Sequence, residues 1–237
     1  MEEMIKDLII HNGNKNDFLN KNNNIWLGVS TSLKPYSEKL SKDYLKLIVK
    51  YSRESALIFI ADEIAAINYN VLEKYGKETS LKKSLQKGDI FLRRYKKLIK
   101  TLPKEEQSKI KLIRWKDVWA KRQEESYKIL KEEYLTNPKF KKEIEAPIIL
   151  YLKNSKRTIK ESRVIKMSEY ILKELPFLLE GVEFQNKKYN LMLYPAYGKT
   201  SLSKLVSNIQ KGNEFQKIKK KLKLKGAHIL ADSQIIE

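Results

Sequence analysis

A chain of 237 residues, 41% of them hydrophobic, is long enough for one α/β domain with a substantial core. It contains no cysteine and two histidines, His11 and His228, which excludes disulfides and thiolate chemistry and leaves histidine-based triads and zinc sites poorly provided for. Its 49 basic residues against 29 acidic ones give a formal net charge of +20, a field that favours polyanions, nucleic acid foremost. A lysine-rich composition accounts for many of the lysines but not for the excess of base over acid. No run of 18 apolar residues is present, so no membrane-spanning helix is expected. The opening MEEMIKDLII carries acids where a secretory signal would carry base. The expected location is the cytoplasm and the expected state a monomer.

Along the chain, residues 8–10 and 25–29 read as short buried strands on either side of an asparagine-rich loop. Leu40, Tyr44, Leu47, Ile48 and Tyr51 keep helical spacing. A third apolar run, 56–61, ends at Asp62. Strand, helix and strand within about 37 residues make a βαβ unit, whose strands are parallel. Further strands are expected at 110–114 and 191–194, and helices at 63–75, 80–102, 117–135 and 158–175. The alternation predicts a Rossmann-like α/β fold, a doubly wound and mostly parallel sheet of about five strands, as a single catalytic domain over 1–237.

In such sheets ligands bind beyond the carboxyl ends of the strands. Ser30 directly follows the strand 25–29 and so lies at that edge. Gly28 beside it would let a ligand approach the backbone. A plain helix-entry turn is the alternative reading of Ser30.

Two segments depart from ordinary patterning. In 167–178, Met167, Ile171, Leu175 and Leu178 form one apolar helical face, with Glu174 in its middle and Tyr170 one turn earlier. A buried, unpaired carboxylate costs several kcal/mol or takes up a proton. The plain alternative is an ion pair with a lysine or a cap on a neighbouring loop. Pro176 is expected to end or kink this helix. In 91–102, Phe91, Tyr95, Leu98, Ile99 and Leu102 form the buried stripe. Arg93, Lys96, Lys97 and Lys100 form the opposite one, with Arg94 on its flank. Solvated helix faces ordinarily alternate in sign. A stripe with no interleaved acid suits a row of phosphates, against the alternative of an ordinary exposed helix.

Taken in order, these pieces resemble the cyclodipeptide synthases, which join two aminoacyl-tRNAs into a cyclic dipeptide. The resemblance spans about residues 25–197. It rests on Gly28-Val29-Ser30 after the early strand, Gly88 before the basic helix segment, Tyr170 with Glu174 in YILKELP, and Tyr194-Pro195 in LMLYPAY. One subfamily has asparagine three residues after the serine and histidine after the late tyrosine. Leu33 and Pro195 stand here instead, which points to the Tyr-Pro subfamily. The resemblance implies a fold like the catalytic domain of class I tyrosyl- and tryptophanyl-tRNA synthetases, without ATP, metal or other cofactor. Ser30 would carry the first aminoacyl group by a ping-pong route, with Tyr170 and Glu174 holding its α-ammonium. The second aminoacyl-tRNA's amine would then attack to give a dipeptidyl-enzyme, and Tyr194 would assist proton transfer as the ring closes. The first substrate's pocket would involve Trp26, Gly28, Ile58, Ile60, Phe177 and Met192. The tRNA would lie on Arg93, Arg94, Lys96, Lys97 and Lys100.

Two other classes compete. An ATP-using relative of class I aminoacyl-tRNA synthetases is faintly suggested by His11-Asn12-Gly13-Asn14 and Lys166-Met167-Ser168-Glu169, degraded echoes of HxGH and KMSKS. A non-catalytic RNA-binding module would account for the charge but leaves Glu174 unexplained.

Overall fold

The computed structural model describes residues 7–10, 16, 19–31, 38–194, 201–222, 224 and 229–234. The strands are β1 (Asp7–Ile10), β2 (Asn24–Ser30), β3 (Ala56–Ala61), β4 (Ile110–Arg114), β5 (Val182–Phe184), β6 (Lys187–Tyr194) and β7 (Ile229–Gln234). The helices are α1 (Glu38–Tyr51), α2 (Ala66–Leu72), α3 (Lys77–Ile99), α4 (Lys104–Lys109), α5 (Lys121–Thr136), α6 (Pro138–Asn154), α7 (Glu161–Glu180), α8 (Ser201–Lys211) and α9 (Gln216–Lys221). Short 3₁₀ turns follow β3 and β4.

The sheet order is β1-β7-β6-β2-β3-β4, and β5 pairs with β6 off this path. β7, β6, β2, β3 and β4 run parallel, whereas β1 and β5 are antiparallel to their partners. This is the expected doubly wound sheet. From β2 the chain winds outward through β3 to β4, then returns to build β6 and β7 on the other side. The winding therefore reverses between β2 and β6, and the crevice beyond their carboxyl ends is the topological switch point at which such sheets bind ligands.

The strands are apolar on both faces, and alternate residues serve two cores. Ile25, Leu27, Val29, Ile58, Ile60, Leu191 and Leu193 pack beneath α1 and α3. Trp26, Leu57, Phe59, Ala61, Ile113 and Met192 pack beneath α5, α6, α7, α8 and α9. At the amino edge, Asn24 Oδ1 accepts from the amides of Glu54 and Ser55, and Ser55 Oγ lies 2.8 Å from Tyr189 Oη, which pins β2, β3 and β6 together.

Several helices differ from expectation: α4, α8 and α9 were not named, 63–75 divides into a 3₁₀ turn and α2, and α7 and α6 depart in ways that carry a physical reason. α7 does not end or kink out of helix at Pro176 but continues to Glu180. Proline forfeits one amide hydrogen bond, yet Leu172, Leu175, Pro176, Phe177, Leu178 and Leu179 are all buried, and that packing holds the turn together. The stop is Gly181, whose φ of +80° costs a glycine little. α6 fills 138–154, where no helix was named. Asn137 accepts from the amides of Lys139 and Phe140, Pro138 opens the first turn, and Phe140, Ile144, Ile148 and Leu152 make the buried face. Among the described residues no helix is long and apolar enough to cross a membrane.

Candidate active site

Ser30 is the last residue of β2, at the switch point, half-buried and in register with Ala61 of β3. Its neighbour Thr31 is fully buried and donates to the Ala61 carbonyl at 3.4 Å, which holds the chain where it leaves the strand. Trp26, Gly28 and Ser30 alternate with Ile25, Leu27 and Val29. The first three therefore face the α7 side of the sheet. Tyr194 ends β6, the strand next to β2, so its backbone stands at the same edge. Its side chain lies outside the described residues, as do Leu33, Pro195, His11 and His228.

Glu174 sits on α7, one turn after Tyr170, which packs against the same core. Glu174 is half-buried by surface exposure, with protein packed densely around its carboxyl. Burial pushes its carboxyl from the ordinary 4.5 up to about 7, and no other cause contributes. Among the described residues no lysine, arginine or amide donor reaches it, so the ion-pair and capping alternatives find no partner here. The other buried carboxylates are held. Asp62 accepts from Arg114, Glu180 from Arg122 and Ser126, and Glu133 from Asn137. A packed acid with no partner among the described residues is costly, and the packing of α7 alone does not account for it.

The apolar lining beside it is aromatic. Phe177, one turn beyond Glu174, meets Phe59 and Trp115 edge-on at centroid distances of 5.1 and 5.0 Å. Trp26 lies 5.8 Å from Phe59, and Trp115 stacks on Trp119 at 5.3 Å. Trp26, Phe177 and Met192 thus share the Glu174 side of the sheet, as the expected pocket requires. Ile58 and Ile60 do not. They point into the opposite core, beneath α1 and α3. A shift of one residue along a strand exchanges its faces. The β3 residues on the Glu174 side are Leu57, Phe59 and Ala61.

The basic stripe lies on the outer side of α3. Arg93, Lys96, Lys97 and Lys100 are exposed and Arg94 is half-buried, while Phe91, Tyr95 and Leu98 face the sheet. None of the four exposed cations forms an ion pair among the described residues. A cluster missed in the sequence stands nearby: Asp62, fully buried just past β3, binds Arg114 at the end of β4. An acid closing one apolar run and an arginine closing another were its only outward signs.

Solved structures share this fold. A cyclodipeptide synthase from Bacillus thermoamylovorans superposes with a TM-score of 0.76 at 16% identity, over 100% of both chains. A CDPS from Fluoribacter dumoffii gives 0.68 at 17% identity, covering 95% of this chain and 98% of its own. A cyclodipeptide synthase from Candidatus Glomeribacter gigasporarum bound to Phe-tRNAPhe gives 0.58 at 16%, covering 90% and 88%. At such identities the likeness establishes the fold. No protein-family model matches the sequence, and no curated protein matches it significantly.

Proposed function

We propose that the chain is a cyclodipeptide synthase: a single cytoplasmic catalytic domain, acting as a monomer, that condenses two aminoacyl-tRNAs without ATP. The observation that carries this reading is Glu174, a densely packed carboxylate with no partner among the described residues, one turn from Tyr170 and on the side of the sheet that Ser30 faces at the switch point. Such a group calls for a cation, and the α-ammonium of an aminoacyl ester is a cation attached to an acylating carbonyl. The basic stripe on α3 supports a tRNA carrier, as does the fold neighbour bound to Phe-tRNAPhe. Leu33 and Pro195 favour the Tyr-Pro subfamily.

The Ser30 hydroxyl attacks the first aminoacyl ester, its proton passes to the departing tRNA hydroxyl, and an aminoacyl-serine remains. Glu174 and the Tyr170 hydroxyl hold the ammonium. Atom balance then amends the second step inferred from the sequence. Were the incoming substrate's amine to attack the serine ester, the dipeptide would end on tRNA and Ser30 would be free. A dipeptidyl-enzyme forms only if the serine-bound amine attacks the second aminoacyl-tRNA ester. Glu174 holds the ammonium as a carboxylate and, lying within hydrogen-bond reach of it in this arrangement, is the group to take up the proton as the amine becomes a nucleophile. The new terminal amine next attacks the serine ester, with Tyr194 assisting proton transfer, and ring closure frees Ser30. Ester-to-ester transfer is nearly isoenergetic and ester-to-amide conversion is downhill, so no nucleotide is consumed.

The test is mass spectrometry of medium from cells expressing the chain, searched for diketopiperazines, with Ser30→Ala as control. Cyclic dipeptides absent from the control support the reading. Their absence from both, together with ATP-dependent pyrophosphate exchange, would replace it with synthetase chemistry.

A further inference from the structure

The second buried acid at the carboxyl edge has a different character from Glu174, because every part of it is held. Asp62 follows Ala61, the register partner of Ser30. Its Oδ1 accepts from the Glu63 amide at 2.9 Å, its Oδ2 accepts from Arg114 Nε, and its carbonyl accepts from the hydroxyl of the buried Ser84. Arg114 directs two further donors to α3: Nη1 to Asp89 Oδ1 at 2.8 Å and Nη2 to the Leu85 carbonyl at 3.2 Å. Between them sits Gly88. A Cβ there would stand 2.5 Å from Asp62 Oδ2 and 2.7 Å from Asp62 Cβ, so only glycine lets the helix come this close. One guanidinium thus clamps α3 to the strand end beside Ser30.

The clamp joins the two parts that the proposed reaction must bring together. Arg93, Lys96, Lys97 and Lys100 begin about 7 Å further along the same helix, at 1.5 Å per residue. Phosphates held by that stripe are therefore referred, through Gly88, Asp89 and Arg114, to the strand end at which the ester meets Ser30. Lysine in place of Arg114 keeps the charge but cannot reproduce a planar fork that serves two carboxylates and a carbonyl.

We propose that Asp62 and Arg114 are positioning residues for aminoacyl transfer, setting the distance between the tRNA-binding helix and Ser30. This rests on the reading of the chain as an aminoacyl-tRNA-dependent enzyme. The experiment is single-turnover labelling of Ser30 across a range of aminoacyl-tRNA concentrations, on wild type, Arg114→Lys and Asp89→Asn. Labelling amplitude reports the folded fraction, half-saturation reports tRNA binding, and the maximal rate reports alignment. A displacement of about 1 Å can cost on the order of a hundredfold in rate. Arg114→Lys is expected to lower the maximal rate about ten- to a hundredfold with half-saturation little changed. Asp89→Asn retains Asp62 and Arg114 and removes only a half-exposed arm of the clamp, so it is the variant expected to fold normally. It should slow the same rate to a smaller degree. A maximal rate unchanged in either variant overturns the proposal, whatever happens to affinity or melting temperature. Wild-type protein that no aminoacyl-tRNA labels overturns the proposed function itself, and the clamp's role with it.

Discussion

Replacing Glu174 with glutamine separates a substrate-binding carboxylate from a structural one, because the two roles predict opposite pairs of results. Holding the carboxyl at about 7 rather than 4.5 penalises its charged form in the folded protein by up to about 3 kcal/mol. Residual solvent access makes roughly 1–3 kcal/mol the working range. The sign follows from linkage. A raised acid costs nothing below pH 4.5, where it is protonated folded or unfolded. The cost grows as pH rises between 4.5 and about 7, and it is complete above that. Glutamine escapes it. Glu174→Gln should therefore match the wild type in stability at pH 4 and exceed it at pH 8, by about 2–4 °C in melting temperature per kcal/mol for a chain of this size. Its chemistry should move the other way. Losing a charge-assisted hydrogen bond of about 1.5–3 kcal/mol should weaken capture of the aminoacyl group roughly ten- to a hundredfold. Thermal melts at the two pH values and single-turnover labelling on one preparation give both numbers. A glutamine variant that melts lower at pH 8 and labels normally per folded molecule would refute the reasoning and return Glu174 to the scaffold.

Ser30→Ala should fold and melt like the wild type, yet show neither covalent labelling by aminoacyl-tRNA nor cyclic dipeptide; labelling that persists removes Ser30 as nucleophile. Replacing Arg93 and Lys97 together with alanine should weaken tRNA binding and lower its salt slope by about 0.7–0.9 for each lost phosphate contact, whereas an unchanged slope would make the stripe merely solvated. The register of β3 yields a paired test. Phe59→Leu, on the Glu174 side, should change the distribution of cyclic dipeptides. Ile60→Val, beneath α1 and α3, should cost about 0.5–1.5 kcal/mol of stability and leave that distribution alone. Mass spectrometry beside denaturant melts reads both, and the reverse pattern would disprove the assignment of faces.

The frame of the fold was legible because its early half is built from local signals. Apolar runs of strand length and the helical spacing of Leu40, Tyr44 and Ile48 fix β2, α1 and β3 within a residue or two. What was not legible is what those signals leave open. Every residue of Ala56–Ala61 is buried, so the run carries no alternation to say which side chains face Glu174, and Ile58 and Ile60 were set one residue out of phase. Asn137-Pro138 was a readable start for α6, obscured by Pro147 within the helix. Pro176 misled because a rule about local hydrogen bonding was outweighed by burial along Leu172–Leu179, which only the tertiary structure supplies. β5, with three residues, and β7, rich in polar ones, offer too little pattern. Within the site, Glu174 stood out because a charge on an apolar face is visible in one dimension. Asp62 and Arg114 lie 52 positions apart, and neither is unusual until the sheet places them side by side.

β7 lies between β6 and β1, pairing Asp232 with Tyr194 on one side and with Ile9 on the other. The first strand of the chain therefore has no neighbour in the sheet until residues more than two hundred positions later arrive. That closure gains contacts only after a long loop has been ordered, which places it among the slower pairings available to the chain. Nothing at β2, β3 and β4 depends on it directly, because those strands pair among themselves and with β6. A chain cut before residue 229 would keep the strand bearing Ser30 at the interior of its sheet. It would leave Leu191–Tyr194 of β6 as a bare edge beyond the short cover of β5, and β1 unmatched, and such edges recruit strands from other molecules. Shortened versions of this protein should thus fail by self-association before they fail by loss of the frame of β2, β3 and β4.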